Sequence, residues 1–232
     1  MKYPLYILSI FMSIHISFSQ ETPQDIEVDS LYKEDQFYVG MTYNLLINMP
    51  SGVAQSGFSS GFHLGFTKDM PINTNRNIAI GLGIGYSANS FNQNVLVNKD
   101  NSGNFTYTIL DDGVVSYSKN KFSTHLIEVP IQFRWRTSTV NDYKFWRIYT
   151  GFKLGYVIAH TTKFNGELGD FKFNDNSHFN DFQYGLTFSL GYNTWNAYFY
   201  YALNPIFSSD AKLNDNSIDM KAVRIGLIFY IL

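Results

Sequence analysis

The sequence predicts an all-β protein, an eight-stranded antiparallel transmembrane β-barrel of the up-and-down type. Segments with a two-residue hydrophobic period dominate the chain after residue 35. Aromatic residues make up 18% of the chain and charged residues only 16%, whereas typical globular proteins have about 25% charged residues. The N-terminus carries a short apolar segment that is typical of exported proteins.

Residues 1–19 are predicted to be a secretory signal peptide. Lys2 provides a minimal positive charge, Leu5–Phe18 is largely apolar, and small serines precede Gln20. A membrane-anchoring helix is the alternative interpretation. The apolar segment is short for a bilayer span, however, and no stop-transfer pattern follows it.

The remaining chain is predicted to consist of a leader and one domain. Residues 20–35 are polar and acidic, and we interpret them as a periplasmic leader. Residues 36–232 are predicted to form an outer-membrane barrel with both chain termini in the periplasm. The absence of cysteine excludes disulfide frameworks, cysteine-ligated metals, a thiol nucleophile and a lipid-anchoring cysteine.

Eight segments alternate between large apolar side chains and small or polar ones. Each is long enough to cross a membrane as a tilted strand, which takes about 9–11 residues. The segments are Gln36–Ile47, Phe58–Phe66, Ile78–Ser87, Thr124–Arg136, Phe145–Ala159, Asp181–Asn193, Trp195–Leu203 and Met220–Leu232.

The apolar face of each strand is predicted to contact lipid, and the polar face to line a narrow lumen. With the opposite orientation, about forty large side chains would have to enter an eight-stranded lumen that ordinary side chains only just fill. A closed barrel also pairs every backbone group within the hydrocarbon. Aromatic residues near the strand ends are expected to form interfacial girdles: Phe37, Tyr86, Trp135, Trp146, Tyr192 and Trp195. A secreted lipocalin-like barrel is the alternative fold.

Long and short connections alternate along the chain, so they fall at opposite ends of the predicted barrel. The long connections are Asn48–Gly57, Ala88–Ser123, His160–Asn180 and Asn204–Asp219, and the short ones are Thr67–Asn77, Thr137–Lys144 and Asn193–Thr194. Outer-membrane barrels keep short turns periplasmic, so the long connections are predicted to be extracellular. The second long connection is expected to contain a hairpin formed by Asn94–Val97 and Phe105–Leu110.

Charged residues on the predicted inner face are candidates for a lumen charge network. They are Glu128, Arg134, Arg136, Arg147, Lys153, Asp181 and Arg224. Charges at membrane depth are costly unless they pair or meet water, so we expect ion pairs that plug the lumen. A polar pathway or an anion site is the alternative. Glu128 has two candidate partners on the next strand, Arg147 and Lys153, and the pattern does not decide between them.

Several other function classes find no support in the sequence. The formal net charge of −2 argues against a nucleic-acid partner. The histidines are scattered without the spacing of a metal site, and no serine is singled out as a nucleophile. We therefore predict no enzyme activity, no cofactor and no bound metal.

The last strand carries the features of an outer-membrane assembly signal. Arg224 and Gly226 are followed by alternating apolar or aromatic residues that include Phe229 and Ile231. Such a segment implies recognition by the barrel assembly machinery, although any well-formed amphipathic strand has the same pattern.

Several segments resemble the PorT family of small outer-membrane barrels from Bacteroidetes-type bacteria. Residues 122–136 are similar to the Glu-x-Pro strand of that family, with Glu128 and Pro130 at the matching positions. Residues 144–156 resemble the following strand. Independently of the resemblance, Pro130 predicts a bulge or a local break in strand pairing, because proline has no amide hydrogen to donate.

The resemblance implies that this chain is a component of the type IX secretion system, which exports adhesins, proteases and gliding-motility proteins. The expected partners are then other secretion subunits, together with outer-membrane lipids and lipopolysaccharide. The competing hypothesis is an adhesion or ligand-binding barrel that uses its long extracellular connections.

Overall fold

The computed structural model describes residues 33–111, 113–137 and 145–231. The predicted signal peptide and most of the predicted leader lie outside the described residues. Within the described part of the chain, no helix is long and apolar enough to cross a membrane.

Eight long strands form one closed antiparallel barrel, which confirms the predicted fold. The strands are β1 (Gln36–Ile47), β2 (Ser60–Pro71), β3 (Ile78–Asn92), β6 (Tyr117–Arg136), β7 (Trp146–Gly166), β9 (Phe182–Tyr192), β10 (Trp195–Ala202) and β13 (Lys221–Ile231). Each strand pairs with its neighbours in this order, β6 pairs directly with β7, and β13 pairs with β1 to close the barrel.

Five short strands lie in the long connections. They are β4 (Val95–Lys99), β5 (Phe105–Ile109), β8 (Gly169–Phe173), β11 (Lys212–Leu213) and β12 (Asn216–Ser217). The β4–β5 pair is the hairpin predicted in the second long connection. Strand β8 pairs with the end of β7, and β11 pairs with β12.

The two faces of the barrel wall follow the predicted alternation. The inner face of β1 is buried from Gln36 to Asn44 at every second residue, and Phe37, Met41 and their outer neighbours are exposed. Exposed aliphatic and aromatic residues continue around the wall on the other strands. A continuous apolar outer surface is the surface that a lipid bilayer requires.

Aromatic pairs on the outer wall lie near the strand ends. At the end with the short turns, ring centroids are 5.2 Å apart for Trp146 and Tyr192 and 5.1 Å apart for Trp195 and Phe229. Such belts are typical of the membrane–water interface, where an amphipathic ring is stable.

The barrel wall extends further toward the long connections than the sequence pattern indicated. Strand β6 begins at Tyr117 rather than Thr124, and β7 continues to Gly166 rather than ending at Ala159. In these extensions the alternation is inverted: Phe122 and Phe164 point inward and are buried, while Lys121 and Lys163 point outward. The pattern inverts because this part of the wall faces water outside and an apolar core inside.

Pro130 interrupts one strand pairing, as predicted. The β3–β6 ladder is paired up to Leu82 and Ile131 and resumes at Gly85 and Glu128 without a change of register. On its other side Pro130 remains paired with β7. The missing amide donor therefore faces β3, and the break is confined to that ladder.

Two glycines on neighbouring strands make room for a tyrosine inside the barrel. Gly65 and Gly85 are paired across β2 and β3, and the ring of Tyr38 lies against both. A Cβ atom on Gly85 would lie 2.9 Å from the carbonyl oxygen of Leu64 and even closer to Tyr38 Oη. No side chain fits at this position unless Tyr38 moves.

We expect Gly85→Ala to destabilise the barrel by about 1–3 kcal/mol through overpacking. Unfolding by urea in lipid vesicles, followed by tryptophan fluorescence, measures this change. Tyr38→Phe removes the nearest clashing atom, and Tyr38 Oη has no hydrogen-bond partner among the described residues. The double variant should therefore recover part of the lost stability, and an equal loss in the single and double variants would contradict the proposed clash.

Candidate functional site

The polar interior of the barrel contains two groups of paired charges. The mouth cluster lies at the end with the short turns and consists of Glu34, Asp69, Arg134 and Arg136. The central cluster lies deeper in the lumen and consists of Glu128, Lys153 and Arg224. All seven side chains are buried, so their charges are stable only in the pairs that they form.

Asp69 is the centre of the mouth cluster. Arg136 donates from Nη1 to Oδ1 at 2.9 Å and from Nη2 to Oδ2 at 2.8 Å, which is a bidentate pair. Arg134 donates to the same Oδ1 at 3.2 Å. A planar guanidinium matches a carboxylate in this geometry, and the interaction fixes both side chains.

Glu34 contributes the second carboxylate of the mouth cluster from just before β1. Its side chain accepts hydrogen bonds from Gln36 at 3.0 Å and Tyr149 at 3.3 Å, and it lies 3.6 Å from Arg136 Nη1. Its backbone carbonyl accepts a hydrogen bond from Arg134. Glu34 is therefore part of the barrel interior, although the sequence analysis assigned it to the periplasmic leader.

Glu128 on β6 is the centre of the central cluster and contacts side chains from three other strands. Lys153 Nζ lies 2.9 Å from Oε2, and Arg224 Nη1 lies 3.3 Å from Oε1. Ser87 donates a hydrogen bond to Oε1 at 2.8 Å. Of the two partners considered from the sequence, the structure selects Lys153. Glu128 is paired with Gly155 in the β6–β7 register, and Lys153 lies two residues further along β7, so both side chains point into the lumen at nearly the same level.

Two of the predicted network residues lie elsewhere. Arg147 is buried near the mouth, where it donates to the carbonyl of Asn193 at 2.9 Å and its guanidinium lies over the ring of Phe145. Asp181 is exposed, contrary to the prediction of an interior position. Because β9 begins only at Phe182, Asp181 lies beyond the end of the strand and outside the lumen.

Tyrosine rings fill the space between the charges. Arg134 lies over the ring of Tyr149, and Arg224 lies over Tyr200, with 4.6 Å and 4.5 Å between the guanidinium carbon and the ring centroid. Cation–π contacts of this kind stabilise cations that have left water. Together with the ion pairs, the rings make the described lumen a packed interior rather than an open channel.

The residues of the predicted assembly signal form part of this wall. Arg224 and Gly226 face the lumen, whereas Phe229 and Ile231 face outward. Strand β13 pairs with both β1 and β10. The segment therefore completes the barrel, and its recognition by an assembly machinery remains a prediction.

A hydrophobic core closes the other end of the barrel. Phe122 on β6 packs against Phe179 and Phe207, which come from the third and fourth long connections. Val53 of the first connection and Tyr107 of the hairpin belong to the same buried cluster. All four long connections thus fold onto one shared core, which we call the loop layer.

Polar contacts hold the hairpin to the third long connection. The ring of Tyr107 stacks on His178, and its hydroxyl lies 3.1 Å from His178 Nδ1 and 3.0 Å from Asn176 Nδ2. Burial raises the pKa of Tyr107 to about 12, so the phenol stays neutral. Lys99 and Asp175 add an exposed ion pair at 2.7 Å.

A polar cleft opens beside the loop layer, with a volume of about 440 Å³. It lies between the first long connection and the upper end of β6 and includes Ser56, Ser116, Lys119 and Asn120. Asn120 is buried, and its Nδ2 has no hydrogen-bond partner among the described residues. The cleft therefore offers the exposed side chains of Ser56, Ser116 and Lys119 to a ligand or a partner.

The structure does not assemble a metal centre from its described residues. No group of three or more His, Asp or Glu side chains in that part of the chain is positioned to hold an ion. His63 is buried in the lumen beside Thr42, and His125 contacts the Tyr86 hydroxyl. These histidines serve as packing and hydrogen-bonding groups.

The two carboxylates of the mouth cluster were not predicted from the sequence. Asp69 was assigned to a connection, although β2 continues to Pro71, and Glu34 was assigned to the leader. The excess of inward-facing arginines was a signal that further carboxylates had to lie nearby, since buried charges require partners.

Asp69→Asn should cost about 3–5 kcal/mol of barrel stability, because it leaves Arg134 and Arg136 buried without their shared carboxylate. Urea unfolding in lipid vesicles measures the loss. The matched control is Asp175→Asn in the loop layer, which breaks an exposed ion pair and should leave stability unchanged. An equal loss of unfolding free energy in the two variants would show that the mouth cluster stabilises the barrel no more than an exposed ion pair does.

Structural likenesses to solved barrels are distant. The alignment with Ail, the attachment invasion locus protein of Yersinia pestis, covers 86% of this chain and 99% of the Ail chain. The sequence identity is 12% and the TM-score is 0.34. An engineered protein studied for asymmetric conductivity matches with 10% identity, and a mutant porin of Rh. blastica matches with 9% identity. Each alignment covers 86% of this chain and 100% of the matched chain, with a TM-score of 0.20. At TM-scores this low, the likenesses carry no inference about this chain.

Most of the chain matches one known family of outer-membrane proteins. No curated protein sequence matches the chain. Residues 18–208, which are most of the chain, match the family described as outer membrane protein beta-barrel domain. The lipid-compatible outer wall, the closed eight-stranded sheet and this match agree, and the chain belongs to the outer membrane protein beta-barrel domain family.

Proposed function

We propose that this protein is a non-enzymatic outer-membrane barrel that acts through protein–protein contacts made by its loop layer. In this proposal the loop layer faces the cell exterior and both chain termini lie in the periplasm. The observation that carries the proposal is the combination of a packed lumen with four long connections folded onto one core. Such a molecule has no route for cargo but has a rigid surface for binding.

Rigidity matters for binding because a preformed surface loses little conformational entropy when a partner docks. The loop layer has this property: Phe179 and Phe207 anchor two connections in the core, and Gln55 and Gln93 form a bridge between two others. The polar cleft with Lys119 and Asn120 is the concave part of this surface. We propose the cleft as the contact site for a segment of the partner.

The resemblance of the Glu128-x-Pro130 strand to the PorT family supports a more specific proposal. On that basis the partner is another subunit of a type IX secretion system, and the barrel is an accessory component of protein export, with a role in secretion of adhesins, proteases and gliding-motility proteins. The resemblance alone supports this assignment.

An adhesion or ligand-binding barrel is the second candidate. The polar lining of the cleft favours it, because a concave site with a few polar groups such as Ser116 and Lys119 is the kind of site that binds a small polar ligand. The two candidates use the same cleft but differ in what is lost when the protein is removed.

A packed lumen predicts that the purified barrel shows no steady ion conductance in planar lipid bilayers. A channel with a stable open level would contradict the packed lumen and would favour the polar-pathway alternative. The Asp69→Asn variant is compared with the wild type in the same bilayers. Because this substitution loosens the mouth cluster, we expect it to produce only brief channel openings.

Deleting the gene should remove many unrelated proteins from the culture medium and retain them in the periplasm, as measured by mass spectrometry of both fractions. Loss of a single attachment phenotype with an unchanged set of secreted proteins would instead favour the adhesion candidate.

Complementation with Ser116→Trp tests the cleft itself. Ser116 is exposed and lines the cleft, so the indole should fill it without disturbing the core. We expect this variant to fail in complementation although it reaches the outer membrane. Ser102→Trp places the same ring at the exposed tip of the β4–β5 hairpin and should complement fully. Full activity of Ser116→Trp would exclude the cleft as the contact site.

A further inference from the structure

Three lysines form a row across the outer wall of the barrel, and we call it the lysine row. Lys121 on β6 is directly opposite Lys163 on β7, and Lys163 is directly opposite Lys172 on β8. Residues directly opposite each other in a sheet point to the same face. The buried neighbours Phe122 and Phe164 point inward, so the three lysines point away from the barrel.

In the described part of the chain, the lysine row forms no ion pair. None of the three ammonium groups lies within 4.0 Å of a carboxylate in the described part of the chain, where Lys99 on the hairpin does form such a pair. Like charges directly opposite each other destabilise a sheet. Three unpaired cations in one row are therefore a cost to folding, which an external anion would remove.

The position of the row relative to lipid indicates which anion is available. Ile127 is an exposed aliphatic residue on the outer face of β6, and Ile158 is one on β7. At about 3.3 Å per residue and a strand tilt of about 40°, the lysine Cα atoms lie roughly 12–15 Å beyond these apolar residues. Flexible lysine side chains can also reach several ångströms back toward the membrane surface.

We propose that the lysine row binds the phosphate groups of lipopolysaccharide in the outer leaflet of the outer membrane. Lipopolysaccharide places phosphorylated sugars between the acyl chains and the water, and the flexible lysine side chains of the row can reach back to that layer. The adjacent outer residues Ser123 and Thr161 are polar and offer hydrogen bonds to the sugars. This inference rests on the proposed orientation, with the long connections outside the cell.

The test measures binding of fluorescently labelled rough-type lipopolysaccharide to the full-length barrel in detergent micelles at low salt. We compare the wild type with the triple variant Lys121→Gln, Lys163→Gln and Lys172→Gln. Each lysine near an anionic lipid surface contributes about a fivefold change in affinity, so the triple variant should bind roughly a hundredfold more weakly. Binding by the wild type should weaken as salt rises.

The matched control is Lys68→Gln. Lys68 is an exposed, outward-facing lysine on β2 near the opposite end of the barrel, where lipopolysaccharide is absent from the membrane. This variant should keep wild-type affinity. Migration in semi-native gels, in which a folded barrel runs differently from its heated form, verifies that every variant is folded.

Two further ligands identify the chemistry that is recognised. Lipopolysaccharide treated with phosphatase should bind the wild type as weakly as the untreated form binds the triple variant. Vesicles of anionic phosphatidylglycerol should bind much more weakly than lipopolysaccharide. The proposal is overturned if the triple variant binds normally, if Lys68→Gln causes an equal loss, or if phosphatase treatment or phosphatidylglycerol makes no difference. The measurement is independent of protein export, so it can fail while the proposed function stands.

Discussion

The closed ladder of backbone hydrogen bonds is the constraint on which the rest of this structure depends. In hydrocarbon an unpaired amide or carbonyl group has no water to bind, so the sheet has to close on itself. Closure with eight strands sets a narrow lumen, which only tightly packed side chains can fill. The glycines beside Tyr38 and the confined break at Pro130 are local adjustments to that packing.

The narrow lumen in turn determines what the interior charges do. Buried guanidinium and ammonium groups are stable only beside carboxylates and aromatic rings, and the mouth and central clusters supply both around Asp69, Glu34 and Glu128. The described residues include five buried cations, Arg134, Arg136, Arg147, Lys153 and Arg224, against these three buried carboxylates. The clusters bond strands that are not neighbours, as Arg224 on β13 does with Glu128 on β6.

The strands pass from lipid into water, and this change of surroundings explains the structure of the barrel end that carries the long connections. Below the level of His125 the wall is apolar outside and polar inside, and above it the pattern is reversed, with Phe122 inside and Lys121 outside. The barrel thus continues from lipid into water as an ordinary soluble sheet with a hydrophobic core. The loop layer closes that core, and the polar cleft and the lysine row, for which we propose contacts with a partner and with lipopolysaccharide, lie at the same end of the barrel.

The sequence by itself determined the fold class, the number of barrel strands, the hairpin and the inward position of most network residues, because a two-residue period with one apolar face is a local property of each strand. Only the tertiary structure decided that Lys153 rather than Arg147 pairs with Glu128, that Asp181 stays outside, and that Asp69 and Glu34 complete the mouth cluster. Those outcomes depend on strand register and on where the wall enters water. Both are set by contacts between segments far apart in the chain, which no local pattern records.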